Sequence, residues 1–284
     1  MEDIRKIRNI LRSRPTVEGA GVRLKRVFGH PEVPLLDPFL LLDDFHSSDP
    51  GDYMAGFPWH PHRGIETITY MLHGTVAHGD SMGNSGKIRD GDVQWMTAGS
   101  GIIHQEMPQR SNRTLWGFQL WANLPASHKM TAPCYRNVKR AQIPQVSPRK
   151  NVTIKIICGE AGGVKGPVQD IVTDPEYLDI TIGPDGVLEH PIQEGYTAFS
   201  YVVGGEGYFD KERQRLIPSE NLVLFDNGRG IRITAAKEPV RFLLISGKPI
   251  REPVAWSGPI VMNTKEALEI AFEEYRNGTF LKHN

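Results

Sequence analysis

With 284 residues the chain has length for two domains, and its 33 Lys and Arg balance 33 Asp and Glu. That balance excludes a global electrostatic pull toward nucleic acid or an anionic membrane. The longest apolar runs fall well short of a membrane span, and the opening Met1-Glu2-Asp3-Ile4-Arg5-Lys6 lacks a signal-peptide core, so a cytoplasmic location is expected, with no membrane or direct nucleic-acid partner.

In chain order, Arg23, Lys25 and Arg26, like Lys139-Arg140 further on, are short basic groups that read as solvated faces. The first chemical signal is His60-Pro61-His62. In an extended strand, side chains at i and i+2 leave the same face, so the pair aims two nitrogen donors at one point. Ile65-Glu66-Thr67-Ile68-Thr69-Tyr70-Met71-Leu72 alternates apolar with polar residues, is rich in β-branched types, and ends at His73-Gly74, the pattern of a half-buried strand. Asp90-Gly91-Asp92 marks a hairpin turn and Val93-Gln94-Trp95-Met96 a strand. Ala98-Gly99-Ser100-Gly101 is another turn, after which Ile102-Ile103-His104 re-enters the sheet. His104-Gln105-Glu106 repeats the i, i+2 spacing with a nitrogen and an oxygen donor. Two such strands facing each other would make a cage of three imidazoles and one carboxylate, His60, His62, His104 and Glu106. That donor set suits a divalent first-row metal better than calcium or magnesium.

The stretch 136–149, with prolines and charged residues, reads as an exposed linker between domains 1–135 and 150–284. An internal repeat supports the division. Thr69-Tyr70-Met71-Leu72-His73-Gly74 matches Ser200-Tyr201-Val202-Val203-Gly204-Gly205 in pattern, and Gly99-Ser100-Gly101 is echoed by Gly228-Arg229-Gly230. Carrying those registers across puts Pro191 and Gln193 opposite His60 and His62, and Ile233 and Ala235 opposite His104 and Glu106, so the second domain is expected to lack the cage. His190 reads as an ordinary surface histidine. The tail, assigned to the second domain, shows a capping box at Asn263-Thr264-Lys265-Glu266, helical spacing of Leu268, Ala271, Phe272 and Tyr275, and a terminating Gly278. Cys134 and Cys158, the only cysteines, fit no disulfide scaffold or zinc knuckle and read as reduced thiols.

Phe57-Pro58-Trp59-His60-Pro61-His62-Arg63-Gly64-Ile65-Glu66-Thr67, and the run from Gly91-Asp92-Val93-Gln94-Trp95 through Ile103-His104-Gln105-Glu106-Met107-Pro108, resemble the signature blocks of the pirins, an iron-binding bicupin family. Asp37-Pro38-Phe39-Leu40-Leu41-Leu42-Asp43-Asp44-Phe45, Gln119-Leu120-Trp121-Ala122-Asn123 and Gly258-Pro259-Ile260-Val261-Met262-Asn263-Thr264 extend the resemblance over nearly the whole chain. It implies an all-β bicupin, two jelly-roll-like β-barrels in tandem with a short C-terminal helix. It also implies iron held by His60, His62, His104 and Glu106.

Four protein ligands leave two positions on an octahedral ion such as Fe(II), whereas tetrahedral Zn(II) would have a closed shell; Mn, Ni or Co would also permit chemistry. Glu106 is the expected general base for a substrate hydroxyl, and Phe57, Trp59 and Trp95 are aromatic neighbours for a flat ring, with burial in the barrel core an equal alternative for Trp95. By resemblance to quercetin 2,3-dioxygenases, the expected function is opening of a flavonol such as quercetin with dioxygen. The competing expectation, also by resemblance, is an iron-dependent, redox-sensitive regulator acting through a protein partner. A purely structural metal ranks last, since a barrel of this size does not need one to fold.

Overall fold

The computed structural model describes residues 3–111 and 113–283; Met1 and Glu2 of the N-terminal stretch read above, and Asn284 of the tail, lie outside the described residues. Strands dominate. The first are β1 (Ile7–Arg12), β2 (Arg14–Glu18), β3 (Val22–Phe28), β4 (Phe39–Ser47), β5 (Phe57–His62) and β6 (Ile65–His73). Then come β7 (Val76–Asp80), β8 (Ser85–Ile88), β9 (Val93–Thr97), β10 (Ile102–Pro108), β11 (Leu115–Asn123) and β12 (Cys134–Val138). After β13 (Gln145–Val146), β14 (Val152–Cys158), β15 (Glu160–Ala161) and β16 (Val164–Lys165) follow β17 (Glu176–Ile182), β18 (Val187–Pro191) and β19 (Thr197–Gly204). The remainder are β20 (Glu206–Tyr208), β21 (Leu216–Pro218), β22 (Asn221–Phe225), β23 (Gly230–Ala235), β24 (Val240–Gly247), β25 (Ala255–Ser257), β26 (Ile260–Met262) and the helix α1 (Lys265–Arg276). No helix among the described residues is long and apolar enough to cross a membrane.

Each of two barrels combines a seven-stranded with a four-stranded antiparallel sheet, the bicupin plan. The first has the orders β12-β9-β6-β11-β4-β3-β2 and β5-β10-β7-β8, the second β1-β22-β19-β24-β17-β14-β13 and β18-β23-β20-β21. The compact units do not follow a cut at 136–149. One comprises the chain up to Ser13 together with Ala141–Pro249, the other Arg14–Arg140 together with the chain from Ile250 onward. The reason lies in pairing and packing. β1 extends the second barrel's sheet beside β22, whereas Val261 joins a first-barrel core of Leu40, Ile65, Met96, Ala98 and Ile102. The expected linker is largely structured as well: β12 pairs with β9, and β13 with β14.

The tail helix forms as its residues dictate. Thr264 caps it, its hydroxyl accepting from the Ala267 amide at 3.1 Å, and Gly278 leaves it with a left-handed φ of +72°. Its apolar stripe, centred on buried Ala271, packs with Ile260, Met262, Phe280 and Ile103 of β10, so the helix docks on the first barrel. The strand expected to be half-buried, β6, is buried from Ile65 through Leu72. It lies inside the seven-stranded sheet between β9 and β11, and its polar residues bond internally, Glu66 accepting from Thr97 at 2.7 Å.

The second barrel is filled. In its ladder Ile233 faces Leu188 and Ile231 faces His190, as His104 faces His60 and Ile102 faces His62 in the first barrel. Leu188 and His190 therefore occupy the places that the repeat assigned to Pro191 and Gln193. The loop after β18 has five residues where the loop after β5 has two, so counting back from the shared Tyr falls short by the difference. Leu188, Ile233, Ala235 and Leu244 belong to one aliphatic cluster. His190 is buried and bonds Glu176 at 2.9 Å, so it is not a surface residue.

Candidate metal centre

β5 and β10 run antiparallel, with His60 directly opposite His104 and His62 opposite Ile102. Because successive side chains alternate faces, His60, His62 and His104 all point into the first barrel. Their ring centroids lie 4.5 to 5.0 Å apart, and one nitrogen from each falls within 4.8 Å of the others. The pairing expected from the i, i+2 spacing is thus met for the three imidazoles.

The hydrogen bonds around them identify which nitrogens are bare. His60 Nδ1 lies 2.8 Å from the Pro58 carbonyl, and His62 Nδ1 lies 3.1 Å from that of Pro259. A carbonyl only accepts, so both Nδ1 atoms carry the proton and both Nε2 atoms present lone pairs. Those two Nε2 atoms are 3.1 Å apart. Both ring nitrogens of buried His104 have no hydrogen-bond partner among the described residues. Burial, reinforced by the neighbouring imidazoles, holds His62 and His104 well below the usual histidine pKa, so both are neutral. Neutral His62 and His104, with the Nε2 of His60 crowded against them, fit a divalent cation.

Glu106 faces the same cavity but stands apart from the imidazole cluster. A register shift between His104 and Glu106 puts Glu106 opposite Phe57 and offsets it from the simple alternation. Its carboxylate is held from the side: Oε1 accepts from Thr69 at 3.0 Å and Oε2 from the Gln119 amide at 2.8 Å. Gln119 in turn accepts from Trp121 Nε1 at 3.0 Å. The sequence reading missed Thr69 and Gln119 as site residues; their signal was a polar residue inside an otherwise apolar central strand. It missed His78 too, whose Cα pairs with Glu106 and whose ring lies 3.0 Å from Gln94 Nε2.

A cavity of about 640 Å³ opens over these groups. Phe57, Trp59, Trp121 and Trp256 line it, Trp121 meeting His62 edge-to-face at 5.1 Å. Trp59 is 52% exposed at the cavity wall, whereas Trp95 is buried in the core and takes no part. Arg26, expected on a solvated face, lines the cavity instead, because Asp43 and Glu18 bind its guanidinium there.

A family model described as Pirin matches residues 21–122, and one described as Pirin C-terminal cupin domain matches residues 177–281. A pirin-like protein of Caulobacter vibrioides is 41% identical over 278 residues, 98% of this chain and 99% of that one. Pirin of Homo sapiens is 44% identical over 270 residues, 93% and 90% of the two chains. A crystal structure of quercetin 2,3-dioxygenase from Acinetobacter baumannii superposes with a TM-score of 0.89 at 29% identity, covering 98% of each chain. With both barrels matched and nearly the full length aligned to such relatives, the chain belongs to the pirin family.

Proposed function

We propose that the first barrel is a mononuclear metal centre, most simply iron, that opens a flavonol such as quercetin with dioxygen. The observation that carries the reading is the convergence of three imidazoles, that of His104 buried without a hydrogen-bond partner, where His60, His62 and the Glu106 carboxylate line an aromatic-walled cavity. His60, His62 and His104 would hold the ion, with Glu106 as a fourth ligand or as a base beside it. The bound metal would supply Lewis acidity toward a substrate hydroxyl and open positions for substrate and dioxygen.

The protein's own groups have definable tasks. Glu106 takes the proton of the substrate hydroxyl on a carboxylate oxygen, at the moment when the substrate anion forms. Thr69 and Gln119 keep that carboxylate aimed into the cavity, and Trp121 keeps the Gln119 amide turned the right way. The aromatic walls hold a flat ring and exclude water. The likeness to the Acinetobacter quercetin 2,3-dioxygenase supports the substrate class. Anaerobic reconstitution with Fe, Mn, Ni, Co and Zn, then oxygen uptake with quercetin, tests the reading. It fails if no metal form consumes oxygen faster than the Glu106→Gln variant.

One observation favours a second reading, a redox-sensitive regulator acting through a protein partner. His62 is tied to Pro259, in the same C-terminal segment that carries α1, so a change at the metal would reach the surface of that segment. A partner captured equally from the Fe(II) and Fe(III) forms would count against it.

A further inference from the structure

The cavity floor carries a second polar end. Pairing across the first barrel's sheet puts Arg26 of β3, Asp43 of β4, Gln119 of β11 and Thr69 of β6 in one row. All four line the cavity. The neighbouring positions are apolar: Leu41 lies opposite Trp121 on one side of the row, and Phe45 opposite Gly117 on the other. A polar stripe with apolar margins thus runs from the Glu106 end of the cavity to the Arg26 end. From Thr69 to Asp43 it spans two interstrand spacings, roughly 10 Å.

At the far end Asp43 is fixed. Arg26 donates from Nε and from a terminal nitrogen to the two Asp43 oxygens at 2.9 and 2.8 Å, and from its other terminal nitrogen to Glu18 at 2.8 Å. A carboxylate offers about four lone-pair sites, and this fork uses two. No other described residue donates to Asp43, whose side chain keeps 9% exposure at the cavity wall. Burying an ion pair brings little net stability over apolar residues of the same volume. A pair placed in an apolar cavity with acceptor sites left over has a clearer use in recognition.

We propose that Asp43, held by Arg26, accepts a hydrogen bond from a hydroxyl at the end of the substrate remote from the metal, and so selects planar aromatic molecules hydroxylated at both ends. The proposal rests on the flavonol reading above and adds to it the distal specificity. The proximal end of such a molecule meets Glu106 and the imidazoles, its flat body lies along the stripe against Trp121, and its far hydroxyl reaches Asp43. A molecule with a bare far ring would cover the Asp43 lone pairs without replacing their water, and sites built to bond a hydroxyl reject analogues lacking it.

The test is anaerobic binding to the metal-loaded protein, followed by fluorescence, with three flavonols sharing one metal-binding head. They are quercetin, its ether with both distal-ring hydroxyls methylated, and 3-hydroxyflavone, whose distal ring is bare. Wild type should bind quercetin about tenfold or more tightly than either analogue. Asp43→Asn should remove that preference while leaving 3-hydroxyflavone binding unchanged, which also shows that the variant is folded. Equal loss for all three ligands in Asp43→Asn, or no wild-type preference for quercetin over its methyl ether, overturns the proposal while the flavonol reading stands. If no flavonol binds wild type at all, the underlying reading falls and this proposal with it.

Discussion

Gln119 donates its side-chain amide to Glu106 Oε2 at 2.8 Å, from the strand that pairs with the one carrying Thr69. The two bonds on Glu106 leave its carboxylate little rotational freedom. Gln119→Leu should therefore retain the metal but lower turnover by about 10–100-fold, the usual cost of losing a group that orients a functional carboxylate. Metal content and oxygen uptake measured on the same preparation check this. A loss of metal instead would assign Gln119 to binding.

Metal should stabilise the fold through the three histidines. At a free concentration one hundred times its Kd, a bound ion adds about 2.7 kcal/mol to the native state. Thermal melts of chelated and reloaded wild type should differ accordingly, and His104→Ala should melt at the same temperature with and without metal.

Buried Lys129 joins the C-terminal segment to the first barrel. Its Nζ donates to the Gly64 carbonyl at 2.9 Å, Asn123 Oδ1 at 2.7 Å and the Val261 carbonyl at 3.0 Å. Lys129→Met takes this donor from three buried acceptors, of which the Gly64 carbonyl keeps the Leu124 amide at 3.3 Å, and should cost about 2 kcal/mol or more in a denaturant titration. Gly64→Ala should act at the same seam, because Gly64 has φ +78° and a Cβ there would run into the Val261 carbonyl.

Acid should loosen the tail helix. Partial burial pushes the Glu274 carboxyl up, but Lys282 and Arg63 outweigh it and hold the group below the usual carboxylate range. The sign follows: with the folded pKa below the unfolded one, this contribution is present above about pH 4.3 and is lost as pH falls through the folded value. Glu274 is partly exposed, so the effect is about 1 kcal/mol or less. Protection against hydrogen exchange in Lys265–Arg276, taken relative to the intrinsic rate at each pH, should fall between pH 6 and pH 3.5. In Glu274→Gln protection should be low already at pH 6, with no comparable acid step.

Local chemistry was the legible part of the sequence. The i, i+2 spacing of His60 and His62 needs only an extended backbone to place those two rings together, and the Thr264 cap and Gly278 stop are set by neighbours in sequence. What depended on long-range pairing was not legible. The offset of Glu106 comes from a register shift against Phe57, and Gln119 and Asp43 join the cavity only because β4, β11 and β6 align them. The second-barrel register misled for a related reason: a loop of different length broke the count, and His190 moved from the surface to the interior. Likewise, the docking partner of α1 was not written in its own stripe, which would suit either barrel.

The carbonyl that orients His62 lies 197 residues further along the chain. At a synthesis rate of about 5–20 residues per second, a growing polypeptide would display its histidines roughly 10–40 s before that carbonyl exists. Until then the imidazole lacks the bond that fixes its tautomer. The histidine cluster thus reaches its final geometry only once the segment around Pro259 has been made and has docked.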